Sequence, residues 1–319
     1  MRIHDIDFGS CWDAAGVRGF SGEGYWFHHL PLIKRWFNFT GSTRVAKTTT
    51  LNKQEGNLKQ NQWFPQCIWL SWIHGIVLNA VDLTGPGAEY LFKHGLLNST
   101  SPFMISFIPV METREDRIAE FKEFVKMLGE YSTKCKHKPE IALQINLSCP
   151  NTKYRPSDFV LEARDMMNCA YRLGIPLIIK VDLSLSIECV RLIANYNACS
   201  AICCTNSIRF GTARIGDLEG KIDWYKWFGE KSPLAKFGGG GLSGKPLFPL
   251  VVEWVHKVRA AGINIPLNVG GGIMKSSDVD ALVEAGLRPG IDSIFIGTVA
   301  ILRPWRIRAI INRAHKLLD

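Results

Sequence analysis

The run Ile145-Asn146-Leu147-Ser148-Cys149-Pro150-Asn151 brings an amide, a hydroxyl and a thiol to the end of a short apolar stretch. Residues 139–147 alternate as a buried strand does, and Pro150, with no N–H to donate, ends the ladder. Asn146, Ser148 and Cys149 are therefore expected at a strand's carboxyl end, where parallel α/β folds keep their chemistry. A thiol there can serve as a base or nucleophile when its thiolate is accessible. Taken alone, a cysteine before a turn is more often a buried structural residue, so its meaning depends on the rest of the chain.

Two lysines and several amides supply that context. Lys47 ends one strand pattern, and Lys180 sits inside another, after Leu177-Ile178-Ile179. A lysine in an apolar strand is costly unless it meets an anionic or polar partner. A structural ion pair would meet that need, but both lysines fall where a barrel interior would open to its site. Contact with an electron-rich cofactor is the expectation for both, with Lys180 beside a ring nitrogen. Asn79, within Val77-Leu78-Asn79-Ala80, and Asn206-Ser207 end further runs. A single such amide is usually a turn residue, whereas several at strand ends suit a planar ligand with donors and acceptors.

Glycine marks the other half of the site. Gly238-Gly239-Gly240-Gly241-Leu242-Ser243-Gly244 and Val269-Gly270-Gly271-Gly272-Ile273 are Gly-rich, and Ile296-Gly297-Thr298 follows the last strand pattern. Backbone N–H groups from the loops after a barrel's last strands, with a helix N-terminus, make the usual phosphate site, and glycine allows close approach. One run alone could be a plain turn.

The elements that would position these residues follow a repeated βα pattern. Strands are predicted at 44–50, 103–109, 141–147, 176–181, 200–205, 265–269 and 293–297, with a shorter one near 7–15. Helices are predicted at 114–130, 157–173, 186–196, 246–261, 277–286 and 304–317. That count predicts an α/β fold, a single (β/α)8 TIM barrel spanning 1–319, with insertions at the C-terminal face of the strands. Residues 20–40 concentrate Tyr25, Trp26, Phe27, Trp36, Phe37 and Phe39 among His28, His29, Lys34 and Arg35. They are expected to form a partly buried insertion over one end of the barrel, with a surface patch for a partner or lipid as the alternative.

Composition narrows the function classes. With 46% hydrophobic and 21% charged residues, a large core is available and global disorder is excluded. No apolar run reaches the roughly 18 residues that span a bilayer, and the N-terminus lacks a signal peptide's apolar stretch. Nine cysteines without zinc-ligand spacing suggest reduced thiols, no metal site and a cytoplasmic enzyme. Cys199, Cys203 and Cys204 are expected as small core residues. The net charge of +9 is spread along the chain, so an anionic substrate or cofactor accounts for it without nucleic acid.

Together these residues resemble the dihydroorotate dehydrogenase family, FMN-dependent enzymes of pyrimidine synthesis. Ala14-Ala15-Gly16 is similar to its Ala-Ser-Gly turn, Lys47-Thr48-Thr49-Thr50 to its Lys-Thr/Ser-x-Thr strand, and Glu55-Gly56-Asn57 to the Gly-Asn that follows. Asn146 to Asn151 match a family signature without change, and Lys180, Asn206-Ser207 and the three glycine elements follow in family order.

The resemblance implies that Cys149 is the base removing a proton from C5 of dihydroorotate while hydride passes from C6 to flavin N5. Ser148 and Lys180 complete the catalytic set. It also implies substrate contacts at Lys47, Asn79, Leu83, Asn146, Asn151, Asn206 and Ser207. FMN would be held by Ala14, Ala15, Gly16, Lys47 and Thr48 on one side, and by Asn146, Lys180, Thr205 and Ser207 around the ring. Gly241, Gly244, Gly271, Gly272, Gly297 and Thr298 would cradle its phosphate. A cysteine base resembles the soluble class 1 branch, so a homodimer without stable membrane insertion is expected. The membrane-bound class carries an N-terminal helical extension, whereas the barrel pattern here starts almost at Met1.

Departures bear on the substrate. Asn79-Ala80-Val81-Asp82-Leu83 stands where the family has Asn-x-Met-Gly-Leu/Phe, so Asp82 puts a carboxylate near an anionic ligand. Ala15 replaces a Ser, the Pro-Arg after Gly-Asn is absent from residues 58–63, and the 20–40 segment is longer. A flavin oxidoreductase for another cyclic amide or dihydropyrimidine is thus a second expectation. A non-catalytic phosphate-binding barrel is a third, opposed by Lys47, Cys149 and Lys180.

Overall fold

The computed structural model describes residues 1–59, 65–135, 139–147, 156–211, 218 and 220–319. In chain order its strands begin with β1 (Arg2–Ile3), β2 (Ile6–Asp7), β3 (Cys11–Asp13), β4 (Arg44–Val45), β5 (Ile68–Ser71) and β6 (Ile76–Asn79). They continue with β7 (Phe103–Phe107), β8 (Ile141–Asn146), β9 (Leu177–Val181), β10 (Ala201–Cys204) and β11 (Ile208–Arg209), then β12 (Gly241–Gly244), β13 (Leu267–Gly270) and β14 (Ser293–Ile296). Eight of them form one parallel sheet in the order β3-β14-β13-β10-β9-β8-β7-β4. A parallel bridge from Trp12 to Thr43 brings its two edges together, with Asp13 N donating to Thr43 O at 2.9 Å and Thr43 N to Cys11 O at 2.9 Å. The fold is a (β/α)8 TIM barrel, as the pattern of runs predicts.

Both faces of a parallel sheet are covered, so its strands read as continuous apolar runs, and β7, β8, β9, β10 and β13 are buried throughout. Inside the barrel, Trp12, Val45, Met104, Ala142, Ile178, Ala201 and Phe295 pack together, and Met1, Ile3 and Phe8 from the β1–β2 hairpin close the floor. Side chains two positions further on point the same way. Ser106, Gln144, Lys180 and Cys203 therefore form the next layer, and Asn146 lies at the rim above it. The inner layers change from apolar to polar toward the strands' carboxyl ends.

Outside run α1 (Ala88–Lys93), α2 (Arg114–Lys134), α3 (Pro156–Ala170), α4 (Ile187–Ala194) and α5 (Trp224–Phe228). They are followed by α6 (Phe248–Ala260), α7 (Ser277–Glu284), α8 (Thr298–Leu302) and α9 (Ile307–Leu318). Thr113 caps α2 by accepting from Asp116 N, and Ser186 caps α4 by accepting from Cys189 N. A buried pair, Arg117 Nε to Glu162 Oε1 at 2.6 Å, joins α2 to α3. Among the described residues no helix is long and apolar enough to cross a membrane.

Three differences from the expected elements matter for the site. The run 44–50 is strand only over Arg44–Val45, because Lys47 N is diverted to Gly19 O at 2.9 Å. Ala46 N and Thr49 N still bond to β7, at Met104 O and Ser106 O. The Gly238–Gly244 run is not a loop after a barrel strand. Its end is β12, in a four-stranded antiparallel sheet ordered β11-β12-β6-β5. β5 and β6 lie outside the predicted strands, and Asn79 ends a strand of that second sheet, opposite Gly241. The aromatic segment forms two 3-10 turns, Trp26–His29 and Lys34–Trp36, with Phe39 buried and Trp26, Leu30 and Leu32 exposed.

Candidate active site

Lys180 is the central residue of the polar layer. It is 6% exposed and lies in register between Asn146 on β8 and Cys203 on β10. Among the described residues it meets no carboxylate, and its Nζ sits 5.9 Å from the centre of the Phe295 ring. Burial lowers its pKa, while Cys203 and Cys204 act in the opposite sense. No ion pair among the described residues holds it. Gln144, 2% exposed in the same layer, has its Oε1 without a hydrogen-bond partner among the described residues. Above them Asn206 Nδ2 donates to Asn146 Oδ1 at 2.7 Å, and that contact orients both amides. Thr205 N donates to Gly270 O at 3.2 Å, and Thr205 Oγ1 to Asn206 O at 3.0 Å.

The opposite rim is organised by Lys47. Its ammonium donates to Thr84 O and lies 5.3 Å from the Phe20 ring centre, which ties the start of the aromatic segment to the site. Burial holds its pKa down to about 8, and Asp82 acts against that shift. Asp82 is exposed and has φ 60, in the left-handed region where glycine is free of strain. The turn it belongs to is pinned by Asn57 N on Val81 O at 3.0 Å and Asn57 Nδ2 on Ala80 O at 2.8 Å. Leu83 is half-buried in the same turn. Asn79 Nδ2 donates to Gly241 O at 3.4 Å, and a Cβ on Gly241 would lie 2.4 Å from Ser207 Oγ, so Asn79, Gly241 and Ser207 meet. Thr48 Oγ1 lies 2.9 Å from Ser106 Oγ. Ala14 N donates to Ile296 O at 2.7 Å, and Ala14 and Ala15 pack on the inner cluster. Gly16 backs onto Lys47, where a Cβ would lie 3.1 Å from Lys47 Cγ.

The glycine elements converge. A Cβ on Gly272 would meet Gly244 O at 2.5 Å and Phe248 N, in the first turn of α6, at 2.9 Å. One on Gly271 would meet Thr205 Cγ2 at 2.8 Å, and one on Gly297 would meet Ala14 Cβ at 3.0 Å. Gly297 caps α8, whose first residue is Thr298. At each of these positions a Cβ would run into neighbouring protein atoms, so the close approach of these segments requires glycine.

Ser148, Cys149 and Asn151 lie outside the described residues, beyond the end of β8 and Leu147. Sequence reasoning missed Gln144, Thr84 O, Ser106, Phe20 and Phe295. Gln144 alone could have been found, because it alternates with Asn146 on one strand face.

The sequence model described as dihydroorotate dehydrogenase matches residues 19–301. The chain belongs to the dihydroorotate dehydrogenase family. Similar relatives include the catalytic subunit named dihydroorotate dehydrogenase B (NAD(+)) of Bacillus thuringiensis, 26% identical over 96% of this chain and 87% of the relative. The subunit of the same name from Listeria monocytogenes is 26% identical over 76% of this chain and 73% of the relative. Family membership agrees with the resemblance carried by the Asn146–Asn151 signature, Lys47, Lys180 and the glycine elements.

Proposed function

We propose that this chain is an FMN-dependent oxidoreductase that converts dihydroorotate to orotate in pyrimidine synthesis, with Cys149 as the base. The observation that carries this reading is Lys180, a buried cation with no anionic neighbour among the described residues, set beside the Asn146–Asn206 amide pair. The residues fit a flavin mononucleotide on two counts: the buried, unpartnered Gln144 Oε1 lies in the same inner layer as Lys180, and the strand-end positions 271, 272 and 297 are glycines, whose backbone N–H groups no side chain of their own covers. Lys180 would hold the electron-rich edge of the ring, and the glycine backbone with Thr298 would hold the phosphate.

Bound FMN would supply the acceptor for the hydride leaving C6 of the substrate. Cys149, as thiolate, takes the proton from C5, so one C=C bond forms as two C–H bonds break. Lys47 offers a positive charge to the substrate carboxylate, and Asn79, Asn146, Asn151, Asn206 and Ser207 fix the plane of the ring. Leu83 would cover the ring's edge, and Ala14, Ala15, Gly16, Thr48 and Thr205 would line the cofactor side. Anaerobic addition of dihydroorotate to the purified yellow protein should bleach the flavin band. An unbleached flavin would refute the substrate assignment, and a colourless protein that takes up no FMN would refute the cofactor.

Asp82 favours a second reading, a neutral cyclic amide or dihydropyrimidine as substrate. Its carboxylate acts on Lys47, the charge that would otherwise answer a substrate anion. Flavin reduction by a neutral and an anionic ring at equal concentration separates the two. The reading also carries the expectation of one domain over 1–319 and of a cytoplasmic homodimer, which sedimentation and cell fractionation test.

A further inference from the structure

Two consecutive residues at the start of the aromatic segment hold both ends of Lys47. Gly19 O accepts from Lys47 N at 2.9 Å, and the Lys47 ammonium lies 5.3 Å from the centre of the Phe20 ring, over its face. The ammonium also donates to Thr84 O. Among the described residues it forms no ion pair, although Asp82 acts on it through space. A half-buried cation loses hydration, yet a carboxylate beside it would cancel the charge that an anionic ring needs. An aromatic face meets both conditions, because its quadrupole attracts a cation and carries no net charge.

The chain is bent so as to aim that ring. Phe20 N donates to Glu23 Oε1 at 2.9 Å and Ser21 N to Glu23 Oε2 at 2.6 Å, while Phe20 O accepts from Arg44 Nη1 at 2.7 Å. Gly19 has φ 76, and a Cβ there would lie 2.2 Å from Glu23 Oε1, so glycine lets the Glu23 carboxylate fold under the bend. The edge of the ring abuts Gly85, where a Cβ would lie 3.0 Å from Phe20 Cζ. Gly85 follows Thr84 and is fixed by reciprocal backbone bonds with Gln54 at 2.9 Å. The ring and the carbonyl that share the ammonium are thus packed against each other. The remaining charges on these elements are engaged elsewhere: Glu23 by the two N–H groups, Arg44 by Phe20 O, Arg18 by Asp13, and Lys53 by Glu55. Among the described residues that leaves Asp82 as the charge acting on Lys47.

We propose that Phe20 is a positioning residue for an anionic substrate: the face of its ring keeps the Lys47 ammonium charged and seated at the rim without neutralising it. The inference rests on the reading of Lys47 as the contact for a substrate carboxylate. It gives the aromatic segment, through its first ring, a part in selecting an anionic ring over a neutral one.

Orotate titrated against the flavin absorbance of the FMN-loaded protein, between about pH 6.5 and 9, tests it. Phe20→3,5-difluorophenylalanine keeps the ring's shape and its Cζ edge but weakens its face. A weaker face favours the neutral amine, so the pH at which orotate affinity begins to fall should move down by about half a unit. At about pH 6.5, where the ammonium is charged in both proteins, the two should bind orotate within about twofold of each other. Uracil, a neutral ring, should bind both proteins alike at every pH. Phe20→Leu, which removes the face, should move the fall further down, and if that variant loses flavin the difluorinated protein still decides. A parent curve that falls while the difluorinated protein follows it without displacement overturns this proposal alone, as does the same displacement for uracil. A parent curve that stays flat across the range removes Lys47 from the anion site, and both readings fall together.

Discussion

Replacing Asp82 tests the physics of the substrate rim. The residue holds φ 60 in a turn clamped by Asn57 and by the Lys47 ammonium on Thr84 O. Leaving that backbone strain is worth about 1 kcal/mol to glycine, but glycine's extra freedom in the unfolded chain offsets a similar amount. Asp82→Gly should therefore leave the melting temperature nearly unchanged. The electrostatic part does not cancel. Removing an exposed carboxylate near a bound anion is worth up to about 1 kcal/mol, which is up to about fivefold in Kd. Lys47 titrates at about 8, and Asp82 raises that value, so the variant's lysine will lose its proton at lower pH than the parent's. The comparison therefore belongs at about pH 6.5 and low salt, where Lys47 carries its charge in both proteins. Orotate titrated against the flavin absorbance should bind several-fold tighter to Asp82→Gly and to Asp82→Asn, with the gain shrinking at high salt. A neutral dihydropyrimidine should gain nothing. Unchanged orotate affinity in both variants, or equal tightening of the neutral ring, would refute the reasoning.

Because burial holds Lys47 near 8, orotate affinity in the parent should be flat below that pH and fall by up to tenfold per unit above it, as read by the same titration. Lys180→Met removes a buried, unpaired cation, so the apoprotein should melt higher by the equivalent of about 1 kcal/mol while flavin retained through gel filtration drops sharply. Gly272→Ala would place a Cβ 2.5 Å from Gly244 O at φ 85, and FMN affinity should weaken at least tenfold by fluorescence titration. Glu162→Ala removes the carboxylate paired with the buried Arg117 in the α2–α3 interface, and denaturant unfolding should record a loss of about 3 kcal/mol with unchanged flavin chemistry.

All eight barrel strands are legible in the pattern of apolar runs. Fully buried parallel strands must be unbroken apolar runs, so an intruding lysine such as Lys180, or a Gly-rich stop after Val269, is visible against them. The family was equally legible, since the Asn146–Asn151 signature and the ordered glycines are local patterns. Which distant segments meet is visible only once the chain has folded. The pairing of β6 with β12 brings Asn79 to Gly241 and Ser207, although short half-buried strands carry no distinct period. The diversion of Lys47 N to Gly19 O cuts its strand short and turns its ammonium toward Thr84, a carbonyl that no residue type could announce. Asp82's left-handed backbone and its field on Lys47 likewise exist only once the turn after β6 has closed over the rim. Strand character is written in neighbouring residues, whereas a site is a set of long-range contacts fixed by barrel closure and register.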